Sequence, residues 1–388
     1  MLLTAPRDGK TPLVTTSSEL ADCAASLEPG APIAIDTERA SGYTYDDRAY
    51  LIQLRQETAG TFLVDAEALR TELPTVLAPV VNSCPWILHA AVSDLPCLGE
   101  VGMTAQQLFD TEVAGRFLGF DKVNLAAMTS RILGIDLKKG HAAENWSKRP
   151  IPRSWLIYAA LDVELLIELA DTLTALLDRE GKLEWAKAEF QHIIDFPPVQ
   201  HEKTWHDVKG IRRMHGPQVQ AARALFNKRE QIARSKDIAP GRVLSNKLLS
   251  LLAEKHPTTP DDVHSILRNR SNPHMWASVI SQALGKPKDS WATLPKEEGT
   301  PTKSAWKRLC PDAWDALHEA TAAVADRADE LEIDPIVLVA PAVIRDVVWQ
   351  RFAQEDDTPV VDLLTGFGAR PWQVELVAGL LEESLRGE

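Results

Sequence analysis

Five residues that break up apolar segments constrain this 388-residue chain more than any other feature. Asp36 and Glu38 lie in PIAIDTE, Asp94 in WILHAAVSDLPCL, and Tyr158 with Asp162 in IYAALDVELL. Each acid sits within, or at the end of, a run that reads as buried. An unpaired carboxylate in such a place costs several kcal/mol or takes up a proton instead. Several of them close together make physical sense when a divalent cation lies among them, which points to metal-assisted chemistry.

Read one at a time, each acid also has a plainer explanation. Asp36 and Glu38 stand two apart on a strand or its end, so both side chains fall on one face. Two neighbouring like charges repel unless a cation bridges them, but the same triplet could end a strand and face water. Tyr158 and Asp162 are four apart on a strong helix and stack on one face, which Leu165, Leu166 and Leu169 continue. A single buried Asp satisfied by the tyrosine, an arginine or a backbone amide would fit as well. Asp94 begins a helix just after a buried strand, where capping is the plainer reading. His89, at the end of that strand, reads as a satisfied core histidine.

The length implies two or three domains. The first ~195 residues mix strands and helices. SSELADCAASLE is a capped helix with Ser17 or Ser18 at its N-cap. PIAIDTE, YLIQLRQ and TFLVDA are adjacent strands with a turn near Gly60; WILHA and LFDT are shorter ones. EALRTELPTVLAPVV, SDLPCLGEVG, EVAGRFLG and NLAAMTSRILG alternate with them as helices. One long helix is expected from Arg153 to Glu180, stopped by Gly181. The pattern predicts an α/β domain with a mixed sheet. DFPPVQHEKTWHD reads as a linker, and from Val208 onward the chain reads as helical, with a second Pro- and Lys-rich linker ending at Lys303.

Charge is unevenly spread. The net charge is -13, yet residues 207–255 carry 11 Lys+Arg against 4 Asp+Glu, while residues 311–388 carry 5 against 17. A basic module inside an acidic chain is a footprint for a polyanion. Its candidate phosphate contacts are Arg212, Arg213, Arg223, Lys228, Arg229, Arg234, Lys236, Arg242 and Lys247, together with Lys209. The alternative is a solvated helical surface. Trp146, Lys148 and Arg149, just before the long helix, could meet a substrate phosphate or simply form a loop. The four cysteines make no C-x-x-C pair and read as reduced, mostly buried thiols. No apolar run is long enough to span a membrane, and no secretion signal is legible, so a cytoplasmic location is expected.

Taken in order, D-x-E on a strand, D after a second strand and Y-x-x-x-D on a helix resemble the DEDDy class of 3'→5' exonucleases, and within it bacterial ribonuclease D. The words IAIDTE, LIQL, LHAAVSDL, LFDT, ENWSKRP and YAALDVELL carry the resemblance over about residues 15–180. The basic segment is similar to an HRDC domain, and residues 304–388 look like a second, degenerate copy. The resemblance implies a ribonuclease H-like α/β exonuclease domain at 1–195 and a linker at 196–207. It implies an HRDC domain at 208–290, a linker at 291–303 and an acidic helical module at 304–388. It also implies roles. Asp36, Glu38 and Asp162 would ligate one Mg²⁺ or Mn²⁺; Asp36 and, through water, Asp94 would serve a second. Tyr158 would orient the attacking water. The implied substrates are RNA 3' ends such as tRNA precursors, with single-stranded DNA a close variant, and a monomer would suffice. A non-catalytic nucleic-acid-binding scaffold is the alternative. The glutamate that often precedes the second-motif aspartate in the family is Ser93 here; that position is not among the implied ligands.

Overall fold

A computed structural model describes residues 1–388 apart from 139, 142, 200–201, 269–271, 296–298, 355 and 386–388. Among the described residues, eight strands occur in the first part of the chain. They are β1 (Leu2–Leu3), β2 (Leu13–Val14), β3 (Ile33–Arg39), β4 (Ala49–Gln56), β5 (Gly60–Asp65), β6 (Trp86–Leu88), β7 (Leu108–Asp110) and β8 (Asp136–Leu137). Six form one mixed sheet in the order β2-β5-β4-β3-β6-β7, while β1 and β8 pair separately. β3, β4 and β5 are an antiparallel meander, and β2, β6 and β7 add in parallel at its sides. The apolar runs IAI, YLIQL and FLV explain the centre of this sheet, because strands covered on both faces are apolar almost throughout.

The helix Arg153–Glu164 lies across β3, β4 and β5. Ala159 and Ala160 let it approach closely, packing with Tyr50, Leu51, Leu63, Trp146 and Trp155. The long helix expected to reach Glu180 breaks at Leu165 (φ -111°, ψ 0°) and resumes as Leu166–Arg179. No Pro or Gly marks the break; tertiary contacts impose it. Glu164 is buried and fixed by the amide of Arg7 (3.2 Å) and the guanidinium of Arg55 (3.2 Å). Past it the chain redirects to bury Leu166, Leu169 and Leu173. At the other end of the domain the first helix is capped by Thr16 rather than Ser17 or Ser18, in a capping box with Glu19.

The two helical modules relate to the sheet domain differently. Helices Pro217–Lys236, Asn246–Lys255, Pro260–Leu267 and Pro273–Leu284 enclose a core of their own around Leu225, Leu249, Leu252, Trp276 and Ile280. Ala292 and Leu294, expected in a linker, pack against that core. The helices Pro311–Glu330, Pro341–Ala353 and Pro371–Ser384 instead share one continuous buried cluster with the sheet domain. Trp372 stacks on Trp185 (5.4 Å) and tilts against Phe117 (5.6 Å). Arg116 pairs with Asp334 at 2.6 Å, and Arg370 grips Glu189 through two guanidinium nitrogens.

Candidate active site

β3 presents Asp36 and Glu38 on one face, and the helix Arg153–Glu164 lowers Asp162 onto them. One carboxylate oxygen from each of the three lies within 4.8 Å of the others. Glu38 is buried, while Asp36 and Asp162 keep a partly exposed edge. Asp94 follows the short turn Ala91–Ser93 and approaches from the side of β6. Thr37, between the two β3 acids, donates its hydroxyl to Asp94 Oδ1 at 2.5 Å. The five residues singled out by sequence are therefore brought together, with Asp94 set apart from the tight trio.

The electrostatics show how ill at ease these acids are without a cation. Burial, then the charges of Asp94 and Asp162, hold Asp36 well above the usual carboxylate range. Burial, then Asp36, pushes Glu38 up to about 11. Burial raises Asp162 to about 7 and Asp94 to about 6. Arg39 acts in the opposite sense on Asp36, Glu38 and Asp94 but is outweighed. Gln53, fully buried opposite Asp36 on β4, donates Nε2 to Asp36 Oδ2 (3.3 Å) and leaves its own Oε1 without a hydrogen-bond partner. Crowded hard-oxygen donors and an orphaned amide oxygen fit Mg²⁺ or Mn²⁺. Tyr158 lies one turn before Asp162, and burial, then the charges of Asp162, Glu38 and Asp36, push its ionisation up.

A pH dependence follows. Carboxyls whose folded pKa is raised stabilise the fold below their unfolded values near 4, and that contribution is lost as pH rises through the folded values. For Asp94 and Asp162 those are about 6 and about 7. In chelator, melting temperature should fall from about pH 5 to about pH 8. With saturating Mn²⁺, which binds the ionised acids, the gap over the metal-free protein should widen across the same range. Thermal melts at several pH values, with and without chelator, check this.

Three residues of the site escaped the sequence reading. Gln53 was visible as one polar residue inside YLIQL, and strand pairing gives it a role that spacing alone could not. Thr37 lies between the two β3 acids and Arg39 follows them; Arg39 also donates to the Ser93 carbonyl. Other expectations change. Arg149 is not aimed at substrate but makes a bidentate pair with Asp65 at 2.6 Å, and Trp146 is fully buried. His89 is a core histidine, as expected, bonded to the Thr111 hydroxyl at 2.9 Å and pushed down to about 4 by burial.

The basic residues separate into groups. Arg229 is buried, bonded to Asn246 (2.6 Å) and paired with Glu230, and so is removed from the phosphate-contact set. The tertiary fold turns its helix position inward, which sequence charge does not reveal. Arg234 and Arg242 reach the sheet domain instead: Arg234 covers the Tyr45 ring, and Arg242 covers Tyr43 and donates to the Gly42 carbonyl at 2.7 Å. Arg212 donates to the Pro295 carbonyl (3.0 Å) and Lys228 to Gln231 (2.9 Å). Arg213, Arg223, Lys236, Lys247 and Lys209 lie on the surface.

A mixed sheet with three clustered acids and a tyrosine on a crossing helix forms a site fit for a divalent metal, and the family matches make its class a 3'-5' exonuclease. Residues 12–178 match the family model for a 3'-5' exonuclease, residues 218–272 that for the HRDC domain, and residues 299–385 that for a 3' to 5' exonuclease C-terminal domain. A ribonuclease D from Jannaschia sp. (strain CCS1) is 32% identical over 259 residues, spanning 64% of this chain and 67% of that one. The chain belongs to the ribonuclease D family. A crystal structure of a protein from Bifidobacterium adolescentis matches with a TM-score of 0.87 at 33% identity, over 100% of this chain and 99% of that one. Escherichia coli RNase D, at 22% identity, shares the fold with a TM-score of 0.68 over 97% and 99%. The segment expected to be a second HRDC-like copy falls in the third family match. Among the described residues, no helix is long and apolar enough to cross a membrane.

Proposed function

We propose that this exoribonuclease removes nucleoside 5'-monophosphates one at a time from the 3' ends of stable RNA precursors such as tRNAs. The observation that carries the reading is the trio Asp36, Glu38 and Asp162, with Asp94 at its side. Asp36, Glu38 and Asp162 would hold one divalent ion, and Asp36 with Asp94 would serve a second. Such a pair, when bound, lowers the pKa of an attacking water and stabilises the leaving oxygen. Gln53 keeps the Asp36 carboxylate oriented. Tyr158, whose pKa burial keeps high, stays protonated at neutral pH and can hold a water by its hydroxyl.

The modular division that fits this reading is 1–195, 208–290 and 304–388, joined by the linkers 196–207 and 291–303. The exposed Arg213, Arg223, Lys236 and Lys247 of the HRDC module track the RNA backbone, with Arg212 and Lys228 adding charge beside them. Contacts of this kind are sequence-independent and salt-sensitive. Replacing Arg223, Lys236 and Lys247 together with alanine is expected to weaken binding to single-stranded RNA. It should also flatten the plot of log affinity against log salt by roughly 0.7 per lost contact. The rate on a trinucleotide too short to reach the module should stay the same. Fluorescence anisotropy across a salt series and a short-substrate assay read the two effects. On this reading the protein acts in the cytoplasm as a monomer. Mg²⁺, Mn²⁺ and chelator arms, run with a 3'-tailed RNA and its DNA counterpart, test metal use and substrate class together.

A further inference from the structure

Asp110 closes β7 in the word LFDT, is 1% exposed, and commits both carboxylate oxygens to backbone amides. Oδ1 accepts from Glu112 (2.9 Å) and Val113 (3.2 Å), which caps the helix Thr111–Phe117, and also from Ala90 (3.1 Å). Oδ2 accepts from Ala91 at 2.8 Å. Capping a helix takes one acceptor oxygen, which Ser or Asn supplies without a charge. A full carboxylate buried here is therefore explained only by its second task. Ala90 stands in the left-handed region (φ 58°, ψ 51°), where a non-glycine residue needs outside support. From there the turn Ala91–Ser93 runs straight into Asp94, whose amide donates to the Ala91 carbonyl at 2.9 Å. A second stitch joins the same two elements, from His89 to the Thr111 hydroxyl and on to the Leu88 carbonyl at 3.2 Å.

We propose that Asp110 is a positioning residue of the exonuclease site. Through the amides of Ala90 and Ala91 it fixes the strained turn that delivers Asp94 to the second cation. The inference rests on the two-cation reading above and adds to it the residue that holds the less tightly clustered acid in place.

Asp110→Asn separates this role from capping. With its oxygen turned to the three donors at Oδ1, the amide keeps the helix cap and sets an NH₂ group against the Ala91 N–H. Two readouts apply, neither needing turnover. In the metal-free protein, hydrogen exchange over residues 89–95 should quicken about tenfold or more, while helix 111–117 stays protected. In Mn²⁺ calorimetry the tighter site should persist and the weaker one lose roughly 10–100-fold in affinity. Asp94→Asn should reproduce the Mn²⁺ result without the exchange result. If Asp110→Asn exchanges like the parent protein and binds both ions unchanged, Asp110 is only a cap and the proposal is overturned. If the parent protein binds a single ion, the two-cation reading fails first, and the exchange result alone decides whether Asp110 orders the turn. Should Asp110→Asn fold poorly, Asp110→Ser caps the helix but is too short to reach Ala91, and the same readouts apply.

Discussion

Asp162→Asn and Asp36→Asn are each expected to lower kcat/KM for nucleotide release by roughly 10³-fold or more, about 4 kcal/mol of transition-state stabilisation. Asparagine matches aspartate in shape, so the sheet and the crossing helix keep their packing. What is lost is one hard anionic ligand from a cluster in which one oxygen of each acid lies within 4.8 Å of the others. The metal-free protein should respond in the opposite direction. Burial holds both acids above the usual carboxylate range, and the charges of Asp94 and Asp162 raise Asp36 further. Neutralising either one therefore leaves the fold as stable or more stable in chelator near neutral pH. A fall in activity paired with an unchanged or raised Tm identifies a binding site kept strained for its ligand. Steady-state kinetics on a 3'-tailed RNA, together with melts in chelator, measure both halves. Activity within tenfold of the parent protein would remove these acids from the chemistry.

The second large effect concerns the C-terminal helices. A chain ending at residue 303 is expected to be poorly soluble or to melt at least ~10 °C lower than the whole protein. Removing these helices would bare the sheet-domain surface under Trp372, including Phe117 and Trp185. An exposed apolar patch of that kind drives association. Arg370→Ala alone should cost roughly 3–5 kcal/mol, because Glu189 would then be a buried charge without its partner. Excising the HRDC module should cost the sheet domain far less, because its core is its own. Thermal and urea melts of the three variants check the ranking. Equal stability of the 1–303 chain and the whole protein would contradict it.

The contrast between these modules shows where sequence was a good guide. Acids on apolar stripes are legible because burial of charge is improbable without a reason, and their order along the chain needed no tertiary information. The mixed sheet was legible for the same cause, from runs of apolar residues bounded by turns. Features produced only by packing were not. Leu165 breaks its helix through the anchoring of Glu164 by Arg55, a contact across more than 100 positions of chain. Arg229 carries the same charge as Arg223 but faces inward, because register on a helix decides exposure and composition does not. Gln53 and Asp110 looked like ordinary polar residues at strand positions. Only strand register and loop geometry place one against Asp36 and the other beneath the turn that carries Asp94.

The same contrast bears on function. Positive charge picked out the module that the HRDC family model matches, but it was a poor guide to which of its basic residues are exposed. Arg234 and Arg242 instead fasten the HRDC module to Gly42, Tyr43 and Tyr45 in the loop that follows β3.

The most direct measurement is product analysis on a 5'-labelled RNA with a single-stranded 3' tail, incubated with Mg²⁺, with Mn²⁺ and with chelator. The expected result is a ladder shortening one nucleotide at a time, nucleoside 5'-monophosphates as the released species, and no shortening in chelator. Internal cleavage, 3'-phosphate products or undiminished shortening in chelator would contradict it.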